Sequence, residues 1–314
     1  MLRAGSGEEM AVLMMEPIPQ ALVPPQIRVP TGVVSGTYQA SVPLIRRSRL
    51  TSRDNGGVGK QLSDGWCLNF AVGCTHACPF CYVDEIHKRF GQGRYGKAVL
   101  EKWGDYLLVP TNLDEAIERT PWTKWAGVEV MMSSTHDPYL PTLAAWARKI
   151  LERALQAGVE VCLQTRSFLV VKDLNLLARY ANQVRLQVSI STMDTALARL
   201  IEPRVPPPAA RLEVLRRAQD AGLDIGVILA PVFPPNRVRP DVPADLEAIA
   251  QALGAIQPDH IYGESLHVRG RNLQLLEQAL GEKIRLTRGF DKGIAKAFHQ
   301  SLRKAGLRGT WWYE

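Results

Sequence analysis

Three of the chain's five cysteines fall in the stretch Gly73-Cys74-Thr75-His76-Ala77-Cys78-Pro79-Phe80-Cys81-Tyr82, with the spacing C-x3-C-x2-C. Thiolates this close on one loop can each take a different iron of a 4Fe-4S cubane, and a cubane with three protein ligands leaves its fourth iron open. Structural zinc asks for four ligands in tetrahedral arrangement, commonly two C-x2-C pairs, and the chain has no second pair. A disulfide framework does not suit it either. Met1 to Gln20 lacks the basic stretch, apolar core and cleavage site of a signal peptide, and five cysteines without a paired framework fit a reducing cytoplasm. No apolar run approaches the ~18 residues that span a bilayer, which argues against a membrane enzyme.

From Trp66 onward the pattern alternates between strands and helices. Trp66 to Val72 reads as the first strand, ending in the cysteine loop, and Val83 to Phe90 as a helix stopped by Gly91. Val128 to Met132 is the second strand, followed by a helix from Pro141 to Ala157. Val159 to Gln164 is the third, followed by a helix from Asp173 to Tyr180 with Asp173 as its cap. Val184 to Ile190 is the fourth, followed by a helix from Arg211 to Ala221. Ile225 to Ala230 is the fifth, followed by a helix from Ala244 to Leu253, and His260 to Gly263 is a short sixth. Six such units imply a parallel sheet with right-handed crossovers, closed as a partial (β/α)6 barrel of the TIM type. The 314 residues hold one such barrel with extensions at both ends. The expected organisation is an N-terminal extension over residues 1–60, the barrel over 61–264 and a basic C-terminal region over 265–314.

The N-terminal extension is rich in proline, and Asn55-Gly56-Gly57-Val58-Gly59 reads as a loop; with no Gly-Lys-Ser/Thr after it, this is not a phosphate cradle. Arg46, Arg47, Arg49 and Arg53 form a basic cluster there. A second basic region lies at the other end, where ten basic residues stand against four acidic ones in 265–314, a net of +6 out of +7 for the chain. Such a region can meet a phosphate backbone, and a solvated basic surface is the alternative.

In a barrel of this kind the active groups come from loops at the C-terminal ends of the strands. Those ends read Ser133-Ser134-Thr135-His136-Asp137, Thr165-Arg166-Ser167, Ser189-Ile190-Ser191-Thr192 and Pro231-Val232-Phe233. The cysteine motif closely resembles that of the radical S-adenosylmethionine superfamily. The segments Ser134 to Pro141, Gln164 to Ser167, Lys172 to Leu177, Val188 to Asp194, Glu202 to Arg204 and Gly226 to Pro231 narrow the resemblance to its spore photoproduct lyase-like branch, over about Trp66 to Pro235.

The resemblance implies that Cys74, Cys78 and Cys81 hold a 4Fe-4S cluster whose open iron is chelated by S-adenosylmethionine. Reductive cleavage of that cofactor then gives a 5'-deoxyadenosyl radical that abstracts hydrogen from an organic substrate. It further implies that Phe80 and Tyr82 lie beside the adenine, that Ser134 or His136 meets the methionyl amino group, that Arg166 pairs with its carboxylate, and that Ser189 or Ser191 contacts the ribose. A guanidinium can hold a carboxylate through two hydrogen bonds, although a lysine commonly occupies this place in the lyases. Arg204 is read either as a cofactor or substrate contact or as a partner of Glu202. A reductant such as flavodoxin or ferredoxin is the implied partner, with a nucleic acid as a further one through the basic C-terminal region.

One departure bears on the substrate. True spore photoproduct lyases carry a hydrogen-donating cysteine where this chain has Ser134, and a serine O–H bond is too strong to quench a carbon radical readily. Cys162 lies four residues before Arg166, about 13 Å down the barrel at ~3.3 Å per residue, and Cys67 is expected to lie deeper still, both as core cysteines. Three functions therefore stand side by side: a radical enzyme acting on a nucleic acid or nucleotide, one acting on a peptide or small metabolite, and a non-catalytic iron-sulfur or zinc protein. The sequence assigns no catalytic side chain.

Overall fold

The computed structural model describes residues 38–48 and 62–312. The prolines at 17 to 30, the glycine loop at 55–59, Arg49 and Arg53 lie outside the described residues. The fold is an eight-stranded sheet in sequential order. Its strands are β1 (Ile45–Arg47), β2 (Trp66–Leu68), β3 (Glu129–Met132), β4 (Glu160–Thr165), β5 (Val184–Ser189), β6 (Asp224–Val232), β7 (His260–Ser265) and β8 (Thr310–Trp312). β1 pairs antiparallel with β2, and every later neighbouring pair is parallel. The six expected strands are β2 to β7, the mixed α/β partial barrel read from the sequence.

Side-chain alternation along the strands divides the interior in two. Val130, Val161, Leu163, Val227 and Ile261 belong to the large cluster that packs under the helices. Their neighbours Met131, Cys162, Ile228 and Tyr262, with Cys67, form a smaller cluster on the other face. The α-helices among the described residues are α1 (Val83–Tyr95), α2 (Lys97–Leu100), α3 (Leu113–Arg119), α4 (Ala144–Gln156), α5 (Leu174–Ala178), α6 (Thr195–Ile201), α7 (Pro208–Asp220), α8 (Val242–Gly254), α9 (Asn272–Leu280) and α10 (Phe290–Lys304); of those that cover the sheet, α4, α7 and α8 each start within a few residues of the expected place.

Several expectations give way to packing. The first strand stops at Leu68, because Val72 leaves the sheet to bridge Leu108 in antiparallel fashion. Gly91 does not stop α1 (Val83–Tyr95): it is buried where a side chain would strike Tyr95, so the helix continues to Gly96. Asp173 makes no capping hydrogen bond to α5 (Leu174–Ala178), since its carboxylate accepts from Tyr139 Oη at 2.9 Å and Arg148 Nη1 at 2.6 Å. Leu44 and Ile45, placed in an extension by sequence, are buried in the core beside β2. Likewise 265–314 is no separate tail. It contributes α9 (Asn272–Leu280), α10 (Phe290–Lys304) packed on α8, and β8 at the sheet edge, where Trp311 is buried. No helix among the described residues is long and apolar enough to cross a membrane.

Candidate active site

The cysteine loop leaves β2 through Gly73, whose φ of +96° and contact with Tyr106 admit no side chain. Ala77 is held at φ +57°, and Gly104 lies so close that a Cβ there would meet Ala77 Cβ at 2.3 Å. This bend turns the loop over the C-terminal ends of the strands. Cys74, Cys78 and Cys81 all line one cavity of about 730 Å³, together with groups from the ends of β3, β4, β6 and β7.

Asp137 ties the loop to the strand ends. Its carboxylate accepts from Thr165 Oγ1 at 2.7 Å, the Arg166 N–H at 2.7 Å and the Tyr139 N–H at 2.9 Å, and lies 3.0 Å from His76 Nε2. Burial pushes this carboxyl up, but the adjacent His76 and these hydrogen bonds outweigh it and hold the group below the usual carboxylate range. The sequence alone assigns no role to Asp137 or His76. Their signal is an acidic residue at a buried strand end, where a carboxylate must gather several donors.

Of the residues expected at the cofactor, Phe80, Tyr82, Ser134, His136 and Arg166 line the cavity. The Arg166 guanidinium lies 5.7 Å over the Phe80 ring. Its Nε donates to Glu202 Oε1 at 3.1 Å and its Nη2 to the Ala230 carbonyl at 3.1 Å, which leaves Nη1 without a protein partner among the described residues. Burial pushes the His136 ring down to about 3 despite the nearby Asp137, so it is neutral. Its Nδ1 lies 3.1 Å from Ser133 Oγ, while Nε2 is buried with no hydrogen bond of good geometry among the described residues. The Ala71 carbonyl favours the charged ring without reaching that geometry.

Ser189 and Ser191 do not line the cavity. Ser189 Oγ accepts from Gln164 Nε2 at 3.3 Å, and Ser191 Oγ donates to the Ala230 carbonyl at 3.0 Å. Gln164 stands at the wall in their place. Arg204 does not meet Glu202 either: it donates to the Gly104 carbonyl at 2.6 Å and Asp105 at 3.0 Å, while Glu202 is paired with Arg166 and the fully buried Arg211.

Cys67 is buried, as expected, but not remote. Because the chain leaves the sheet after Leu68, the loop beyond β3 folds over β2, and the Cys67 thiol donates to Ser134 Oγ at 3.1 Å. Burial raises this thiol, keeping it protonated. Cys162 stays in the core.

The three loop cysteines fit a cubane. Burial pushes Cys74 up to about 12 and Cys81 to about 11 and raises Cys78 strongly, so iron must displace their protons. Among the described residues no three His, Cys, Asp or Glu side chains converge as a single ion requires. A cubane asks for no such convergence, since each thiolate binds its own iron. The unpartnered Nη1 of Arg166, in the same cavity, fits the carboxylate of a zwitterionic ligand beside it.

The end of β7 supplies groups not assigned from sequence. Glu264 and His267 line the far wall, 3.1 Å apart. Burial pushes the Glu264 carboxyl up to about 7, against the lowering effect of Arg269 and with help from Asp291. A carboxyl raised on folding adds stability that is full below about 4.5 and is lost as pH climbs to about 7. Glu264→Gln is therefore expected to match the wild type at pH 4.5 and to exceed it by ~2 kcal/mol at pH 8, measured by urea unfolding. His267, lowered by burial, runs in the opposite sense and pairs with Glu264 at 3.1 Å, so the comparison is repeated in a His267→Gln background to separate the two. Equal pH slopes would show that Glu264 is not desolvated.

Comparison with known proteins gives one family. The family model described as Radical SAM superfamily matches residues 68–249. An uncharacterized protein of Acidianus two-tailed virus is 58% identical over 279 residues, covering 89% of this chain and 93% of that protein. An uncharacterized protein of Methanocaldococcus jannaschii is 26% identical over 171 residues, 54% of this chain and 61% of that one. Among solved structures, spore photoproduct lyase complexed with dinucleoside spore photoproduct has a TM-score of 0.57 at 15% identity, covering 87% of this chain and 81% of its own. Likeness at that identity speaks to fold alone. The family match spans more than half of the chain, including the cysteine loop and the ends of β3 to β6, and this protein belongs to the radical S-adenosylmethionine superfamily.

Proposed function

We propose that the protein cleaves S-adenosylmethionine reductively at a 4Fe-4S cluster and abstracts hydrogen from an organic substrate, with a nucleic acid or nucleotide as the favoured class. The observation that carries this reading is one cavity lined by the three loop cysteines, by Arg166 with its free Nη1, and by His136. Bound there, the cluster and cofactor supply one-electron cleavage of a sulfonium bond and hence hydrogen-atom abstraction. Cys74, Cys78 and Cys81 hold the irons. Arg166 orients the cofactor carboxylate, neutral His136 or Ser134 takes its ammonium, and Phe80 with Tyr82 flanks the adenine. Ser189 and Ser191 lie behind the wall; Ser189 acts on the ribose only through Gln164, and Ser191 is held by the Ala230 carbonyl. A cytoplasmic reductant such as flavodoxin or ferredoxin delivers the electron.

Anaerobically reconstituted protein with dithionite is expected to form 5'-deoxyadenosine. A loaded cluster that forms none would end the reading. For the substrate, untargeted nucleoside and metabolite mass spectrometry on a deletion strain is decisive.

Cys67, one layer below the cavity wall with its thiol on Ser134 Oγ, carries the S–H bond that Ser134 lacks, and it reaches a carbon radical in the cavity only when Ser134 moves aside. With dinucleoside spore photoproduct as probe, wild type is expected to turn over and Cys67→Ala to lose most of that turnover. No conversion by wild type would favour a peptide or small metabolite.

Arg285, Arg288 and Lys292 are exposed around the start of α10 and form the patch for a phosphate backbone. Nucleic-acid affinity is expected to fall steeply with salt, and neutralising all three should reduce the log–log slope by up to about 3. Binding indifferent to these changes would confine the substrate to the cavity.

A further inference from the structure

Two side chains far apart in sequence donate to the main chain between the second and third cysteines. Trp103 Nε1 donates to the Cys78 carbonyl at 3.0 Å, and that carbonyl also accepts the Cys81 N–H at 3.1 Å, closing the turn that joins the two thiols. Asn272 Nδ2 donates to the Phe80 carbonyl at 3.0 Å, one residue before Cys81. The Asn272 amide is buried and engaged at both ends, since Nδ2 also donates to the His267 carbonyl at 2.8 Å and Oδ1 accepts the Arg269 N–H at 3.0 Å. Beside it, Arg271 Nε donates to Asp84 at 2.7 Å, and Nη2 to the Glu101 carbonyl at 2.5 Å. The loop after β7 thus grips the cysteine loop on one side, and the segment before Tyr106 grips it on the other.

We propose that Trp103 and Asn272 are positioning residues that set the reduction potential of the cluster held by Cys74, Cys78 and Cys81, an inference that rests on the functional reading above. Each N–H draws electron density from a carbonyl dipole in the short turn that carries the second and third ligand thiolates, that of Cys78 itself and that of the residue before Cys81. Hydrogen bonding around the thiolates and the dipoles near a cluster are the levers by which a protein tunes such potentials. Removing either donor leaves the negative end of that carbonyl dipole uncompensated, which favours the oxidised, less negative cluster. The potential therefore moves to more negative values, and the freed turn changes the angles at which Cys78 and Cys81 meet their irons.

The test uses full-length protein, reconstituted anaerobically, with Trp103→Phe, which keeps the ring and loses the donor, and Asn272→Leu, which keeps the approximate shape. Iron and sulfide content, the midpoint potential from redox-poised EPR, and the line shape of the reduced cluster are measured, with unfolding of the apo form as the control. Both variants are expected to keep their fold, with a more negative potential and an altered line shape. Should Asn272→Leu fail to fold, Asn272→Asp, which keeps size and the Oδ1 acceptor, takes its place, and Trp103→Phe decides on its own. Variants with full clusters, wild-type potential and wild-type line shape would overturn the proposal. Wild-type protein that takes up no iron would sink it together with the functional reading, whereas an intact wild-type cluster with unmoved variants sinks it alone.

Discussion

Alanine at Cys74, Cys78 and Cys81 together is expected to take the chain from about four irons and four sulfides to none, with loss of the visible absorption of the reconstituted protein. The three thiols sit on one loop at the mouth of the barrel, Cys74 and Cys78 buried and Cys81 half-buried, and line the same cavity. Each binds a different iron, so losing all three removes every protein bond to the cluster. The two remaining cysteines cannot replace them. Cys67 and Cys162 lie in the apolar cluster beneath the cavity, on β2 and β4 with β3 between them. The variant should still fold, because its three side chains are small and their loop is held by Asp137, Asn272 and the Gly104 contact. A full cluster in the folded triple variant would refute the assignment.

The cysteine loop was legible because its chemistry is local: three ligands within one turn and a half need no tertiary information. The strands from β3 to β7 were legible because parallel strands covered by helices read as apolar runs between turn residues. Other elements had no such signature. β1 and β8 are three residues each, too short for a periodic pattern, and they gain stability only by pairing at the sheet edges. Glu264 at the end of β7 looks in sequence like any polar residue after a strand. Only the fold shows that it faces the cysteine loop, desolvated beside His267. Cys67 was placed too deep because a strand extrapolated straight to Val72 carries it away from Ser134, whereas the real chain bends out of the sheet after Leu68. Ser189 and Ser191 show the converse limit. Alternation along β5 puts them on the expected side of the sheet, but hydrogen bonds to Gln164 and the Ala230 carbonyl hold them behind the cavity wall.

Arg166→Ala is expected to weaken S-adenosylmethionine binding by about 2 to 4 kcal/mol, roughly thirtyfold to a thousandfold, by removing a charge-assisted partner from a desolvated carboxylate. The guanidinium is already oriented for that role. Nε is fixed by Glu202 and Nη2 by the Ala230 carbonyl, so little side-chain entropy is lost when a ligand meets Nη1. The fold should tolerate the change. Glu202 keeps Arg211, which donates from Nη2 to Oε2 at 2.5 Å and from Nη1 to Oε1 at 3.1 Å, so no buried charge is left unpaired. Lysine at 166 should recover part of the loss, since it restores the charge without the planar fork. The three thiols lie on another loop, so iron content should stay at the wild-type level and separate a cofactor defect from a folding defect. The readout is 5'-deoxyadenosine formed under dithionite across S-adenosylmethionine concentrations, with the half-saturating concentration shifting upward. If Arg166→Ala keeps both a full cluster and an unchanged concentration dependence, another cation must meet the carboxylate. Arg204 is then excluded by its ties to Asp105 and Gly104, and Arg89 and Arg269, which also line the cavity, become the groups to replace next.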